Sequence, residues 1–90
     1  MSSTEVVFRD RYGMHPRAAM RIQTMAATYA AAIAIEPLDG GSPIDARSML
    51  ALVSSGVRLG DRLRASATGP DAEAAVAAIG GLITAGICHP

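Results

Sequence analysis

Gly13-Met14-His15-Pro16-Arg17-Ala18-Ala19-Met20 is the stretch around which the chain is organised, because it joins a turn, a histidine, an arginine and a helix start. Gly13 permits a sharp turn. Pro16 biases His15 away from the helical region and itself suits the first helical position, so the pattern sets His15 at a helix N-cap. Ser, Thr, Asp or Asn normally fill that position, because their short oxygens accept from the free N–H groups of the first turn. An imidazole is expected to satisfy those donors poorly, so stability alone would not select it and a chemical role follows.

Behind the turn, the spacing predicts a helix over Arg17 to Tyr29, with Ala18, Ile22, Met25, Ala26 and Tyr29 on one apolar face. Its N-terminus offers unpaired N–H groups and a partial positive charge, which together favour an anion. Arg17 adds a guanidinium fork matched to phosphate oxygens. A free imidazole titrates at about 6.5 and is a usable nucleophile near neutral pH. A phosphoryl group on it would lie where those donors point. Singly, His15 reads as a solvated turn residue and Arg17 as a solvated first-turn residue; together they read as a phosphohistidine seat.

The remaining pattern surrounds this turn with a small α+β domain. Glu5 to Phe8 reads as a first strand delivering the chain to His15. Ala31 to Glu36 alternates with Ile33 and Ile35 on one side. Pro37 to Gly41 is a turn, and Ser42 to Asp45 returns as a third strand whose Pro43 marks an edge. Ser48 caps a short helix that Gly56 terminates. Arg62 to Ala67 alternates, with Leu63, Ala65 and Ala67 inward and Arg62, Arg64 and Ser66 outward. Thr68-Gly69-Pro70-Asp71 is a capping sequence, followed by Ala72, Val76, Ile79 and Ile83 on a helical stripe. Gly80 and Gly81 weaken that helix, and Gly86 stops it. The order strand, helix, two strands, helix, strand, helix predicts an open-faced β-sandwich, a four-stranded antiparallel sheet with three helices on one face. One domain spans residues 1–90.

Composition narrows the function. The chain of 90 residues has eight basic residues against eight acidic ones, giving a formal net charge of zero; without a basic excess, and with few aromatics for base stacking, nucleic-acid binding is not indicated. The longest nearly uncharged apolar stretch, Ala74 to Cys88, is too short for a membrane span and contains the glycine pair. Cys88 is the only cysteine, so an internal disulfide is impossible. Beside His89 it offers no metal-site spacing and no third group to orient a thiolate. No secretory signal pattern is present, and a reducing, cytoplasmic setting is expected.

Gly13, Met14, His15, Arg17 and Ala19 resemble the active-site signature of the HPr family, the histidine-containing phosphocarriers of the bacterial phosphoenolpyruvate-dependent sugar phosphotransferase system. The likeness extends along the chain through Glu36, Ala46-Arg47-Ser48-Met49-Leu50, Gly60 and the region from Ser66 to Glu73. Two positions depart from it: Pro16 follows the histidine, and Ala18 stands where the family commonly has proline. Pro16 has no N–H to donate, leaving the Arg17 and Ala18 amides and the Arg17 side chain to hold phosphate.

The resemblance implies a carrier rather than a turnover enzyme, with His15 as phosphoryl acceptor and Arg17 as phosphate stabiliser. Its implied partners are enzyme I and sugar-specific IIA domains, with no cofactor, metal or membrane insertion and a monomeric state. Met20, Arg21, Met49, Leu50 and Val53 form the expected docking patch. Ser48 matches a family serine that an HPr kinase/phosphorylase modifies in some bacteria. The alternative is a regulatory binding module of the same fold, in a nitrogen-type phosphorelay or docked on a regulator.

Overall fold

Residues 1–86 are described in a computed structural model of the chain. The strand whose alternation is clearest lies at the centre of the sheet. Here β4 (Arg62–Thr68) pairs antiparallel on one side with β1 (Ser2–Val7) and on the other with β2 (Ala32–Pro37), while β3 (Ile44–Asp45) pairs with β2 to complete the order β1-β4-β2-β3. Leu63, Ala65 and Ala67 are buried, and Arg62 and Arg64 are exposed on the opposite face. Arg64 stands in register with Glu5 of β1 and Glu36 of β2. Its guanidinium lies 3.3 Å from Glu5 and 3.6 Å from Glu36, so the open face is laced by opposite charges across three strands.

The helices α1 (Pro16–Ala26), α2 (Met49–Ser54) and α3 (Ala72–Ala85) cover the other face, giving the open-faced sandwich. The largest fully buried side chains are Phe8, Ile22, Ile35, Leu52, Leu63, Ile79 and Ile83. Between them the core is filled by alanines, among them Ala18, Ala19, Ala26, Ala65 and Ala75, which let helix and sheet approach closely. One close approach is marked by Gly80, where an added Cβ would meet Thr4 Cγ2 of β1 at 3.1 Å.

Element boundaries differ from the sequence pattern for identifiable reasons. Strand β1 starts at Ser2 because β4 supplies a partner for each polar residue, Ser2 facing Ala67 and Thr4 facing Ala65. Phe8 lies beyond its end, buried, with its N–H donating to Asp61 O at 2.9 Å. Helix α1 ends at Ala26, not Tyr29: the N–H groups of Thr28 and Tyr29 bond three residues back to Met25 and Ala26, tightening the last turn. Tyr29 still packs half-buried against the core. Strand β3 keeps only two residues, and Pro43 lies just outside it at the sheet edge.

Asp71 occupies the N-cap of α3 but makes no cap hydrogen bond. Its carboxylate instead accepts from the N–H groups of Ala30 at 2.9 Å and Ala31 at 2.8 Å, binding α3 to the segment between α1 and β2. Arg47 holds the same segment, donating to the carbonyls of Tyr29 and of Ala31, the latter at 3.2 Å. Among the described residues no helix is long and apolar enough to cross a membrane. Cys88 and His89 lie outside the described residues.

Candidate functional site

The turn before α1 is built on backbone bonds to the segment preceding β4. Met14 N–H donates to Val57 O at 2.9 Å, and the Met14 side chain is buried. Gly13 has φ of 75°, and a Cβ there would come within 3.1 Å of the same Val57 oxygen, so the position excludes larger residues on two grounds. The chain then enters α1 with His15 as N-cap at φ −86°, ψ 172°, and Pro16 as first helical residue. Both positions match the expectation from Gly13 and Pro16.

His15 Nδ1 accepts from Arg17 N–H at 3.2 Å and from Ala18 N–H at 3.5 Å. The imidazole therefore caps the helix, weakly and by nitrogen where an oxygen is usual, as expected of a ring that satisfies those donors poorly. Because two N–H groups point at Nδ1, that atom carries the ring's lone pair and Nε2 carries the proton. Nε2 faces Asp10 Oδ2 at 3.7 Å. The Tyr12 ring stands edge-on to His15 with centroids 6.0 Å apart, and the Arg11 guanidinium lies 5.8 Å from the centre of the Tyr12 ring.

Arg17 is exposed on the first turn, and Met20 and Arg21 follow it at helical spacing on exposed positions of α1. Helix α2 packs beside α1 and exposes Leu50 (79%) and Val53 (40%). Met49 differs from them in being half-buried and packed against the core. The Ser48 side-chain oxygen accepts from Ala51 N–H at 3.1 Å and caps α2. No cluster of three or more His, Cys, Asp or Glu side chains able to hold a metal occurs among the described residues.

Asp10 and Tyr12 had no part in the sequence reading, yet both touch His15. The available signal was an acidic residue in the turn before an N-cap histidine. Nothing in the pattern says that the turn folds inward and buries it. Asp10 is 3% exposed.

Comparison with known proteins agrees with this geometry. Residues 2–85 match the family described as the phosphotransferase-system HPr component phosphorylation site. The multiphosphoryl transfer protein of Salmonella typhimurium is 40% identical over 86 residues, covering 94% of this chain and 23% of that protein. The chain thus spans less than a quarter of the length of the curated relatives it matches. Among solved structures, HPr-C-His from Thermoanaerobacter tengcongensis superposes with a TM-score of 0.84 at 28% identity, covering 92% of this chain and 91% of that one. The phosphocarrier protein HPr from Bacillus anthracis has the same fold, with a TM-score of 0.83 at 24% identity over 91% of this chain and 95% of that one.

Proposed function

Because the chain belongs to the HPr family of the phosphotransferase system, we propose that His15 accepts a phosphoryl group from phospho-enzyme I and passes it to sugar-specific IIA domains during carbohydrate uptake. One observation carries this reading: the Nδ1 lone pair lies against the Arg17 and Ala18 N–H groups in the first turn of α1. Nδ1 attacks phosphorus in line; the bond between phosphorus and the donor breaks, and its electron pair leaves with the donor. The Arg17 and Ala18 N–H groups then face phosphoryl oxygens, and charge-assisted bonds replace long ones to nitrogen. The helix dipole favours the new negative charge, and the Arg17 guanidinium adds a cation on the same turn. Onward transfer is the same step in reverse, with a second protein as acceptor.

A histidine on a turn suits presentation to two different proteins in succession. Met20, Arg17 and Arg21 are exposed on α1 and Leu50 and Val53 on the neighbouring α2, which supports docking of partners that offer both apolar and acidic groups. Incubated with phosphoenolpyruvate, magnesium and a bacterial enzyme I, the protein is expected to gain the mass of one phosphoryl group, lost in acid and kept in alkali. His15→Ala should abolish the gain and leave the fold intact. Arg17→Ala should slow transfer, since a lost charge-assisted contact costs roughly 1.5 to 3 kcal/mol. A label that survives acid, or that appears on His15→Ala, removes the carrier reading in favour of a regulatory docking module.

A further inference from the structure

We propose that Asp10 is a positioning residue for His15, holding the Nε2 proton inward so that Nδ1 is left as the nucleophile, and stabilising the cationic ring that phosphorylation creates. The inference rests on the reading of His15 as phosphoryl acceptor. Among the described residues Asp10 is the only charged one that is buried, with its side chain 1% exposed. Burying a carboxylate is costly unless it is compensated. The turn itself does not require the charge: Asp10 Oδ1 accepts from Tyr12 N–H at 2.9 Å and the Asp10 carbonyl accepts from Gly13 N–H at 3.1 Å, a geometry that asparagine also makes.

The second carboxylate oxygen, Oδ2, is the one that faces His15 Nε2 at 3.7 Å. That separation is long for a hydrogen bond to a neutral ring but close for a pair of opposite charges. The contact thus gains strength when the ring becomes cationic, and the transfer step makes it so. Nδ1 supplies its lone pair to phosphorus, the donor departs with the electrons of its own bond to phosphorus, and Nε2 keeps its proton throughout. The ring consequently takes a formal positive charge beside Asp10. An interaction stronger in the product and on the way to it than in the free protein accelerates and favours the step, whereas the turn bond to Tyr12 is the same in both.

Asp10→Asn tests this, since it keeps the turn and removes the charge. Nitrogen NMR of uniformly labelled protein, at alkaline pH where imidazoles are neutral, should show His15 in the wild type with its proton on Nε2. In Asp10→Asn the population should move toward the Nδ1-protonated form. Phosphoryl uptake from enzyme I should slow about tenfold in the variant, the lower end of what an opposite charge at this range does for a cation. Equal tautomer populations or equal uptake rates in the two proteins overturn the proposal. So does a wild-type His15 protonated mainly on Nδ1, a result that stands even where the variant fails to fold. If wild type takes up no phosphoryl group on His15, the carrier reading fails separately, and the tautomer comparison on the unphosphorylated proteins then decides for or against Asp10.

Discussion

His15 and Pro16 show how two adjacent residues set both the geometry and the donor supply of a site. Pro16 starts α1 and holds His15 extended as its cap, but it withdraws one of the free N–H groups that would otherwise face an anion at the helix start. Pro16→Ala restores that donor. The transfer equilibrium is expected to move toward phospho-His15 by about 1 kcal/mol, roughly fivefold, and the unfolding free energy to fall by about 0.4 to 1 kcal/mol as the unfolded chain gains freedom. Phosphorus NMR of the protein equilibrated with enzyme I and phosphoenolpyruvate, set beside urea denaturation, reads the two effects independently. An unchanged equilibrium would mean that the Arg17 and Ala18 amides already saturate the phosphoryl oxygens.

At the scale of elements, α3 carries two glycines that look alike in the sequence and differ in the fold. Gly80 is buried against β1, and a Cβ there meets Thr4 Cγ2 at 3.1 Å and Val6 Cγ1 at 3.5 Å. Gly81 is exposed, and a Cβ there meets nothing within 4 Å. Alanine lowers the backbone entropy of an unfolded chain at either site, but only at Gly81 is the gain unopposed. Gly81→Ala should therefore stabilise the protein by about 0.5 to 1 kcal/mol, read as a raised midpoint in thermal or urea unfolding. Gly80→Ala should gain less or lose stability, because β1 must shift by a few tenths of an ångström. Equal gains from the two substitutions would show that the contact with Thr4 yields freely.

For the whole molecule, Asp71 joins parts of the chain 40 residues apart. The Ala30 N–H bond first, then the Ala31 N–H bond with help from the charge of Arg47, hold its carboxyl below the ordinary value of 3.8 against the opposing effect of burial. A group whose folded pKa is depressed contributes stability above its unfolded pKa and loses it as pH falls through the folded value. The joint thus supports the fold at neutral pH and weakens below about pH 3.8. Asp71→Asn cannot accept both bonds with a charged group, so the variant should be less stable at neutral pH. Its stability curve should converge on that of the wild type as acid protonates Asp71 in the latter. Parallel curves down to the acid limb, followed by urea denaturation at a series of pH values, would assign the joint no part in acid stability.

Gly13, Pro16 and the alternation from Arg62 to Ala67 determine the site's place at a helix start and the central strand by local sterics and period alone, and the element order follows from such signals. The resemblance to HPr was likewise readable from Gly13, His15, Arg17 and the segment around Ser48. What only the tertiary structure decided concerns groups whose partners lie far along the chain. Strand β1 begins at Ser2 because β4 is there to pair with it, and Asp71 leaves its own helix to bind Ala30 and Ala31. Asp10 is buried against His15 because Val57 draws the Gly13–Met14 turn inward. Period and propensity act over a few residues, whereas the burial of a charge depends on what the folded chain brings over it.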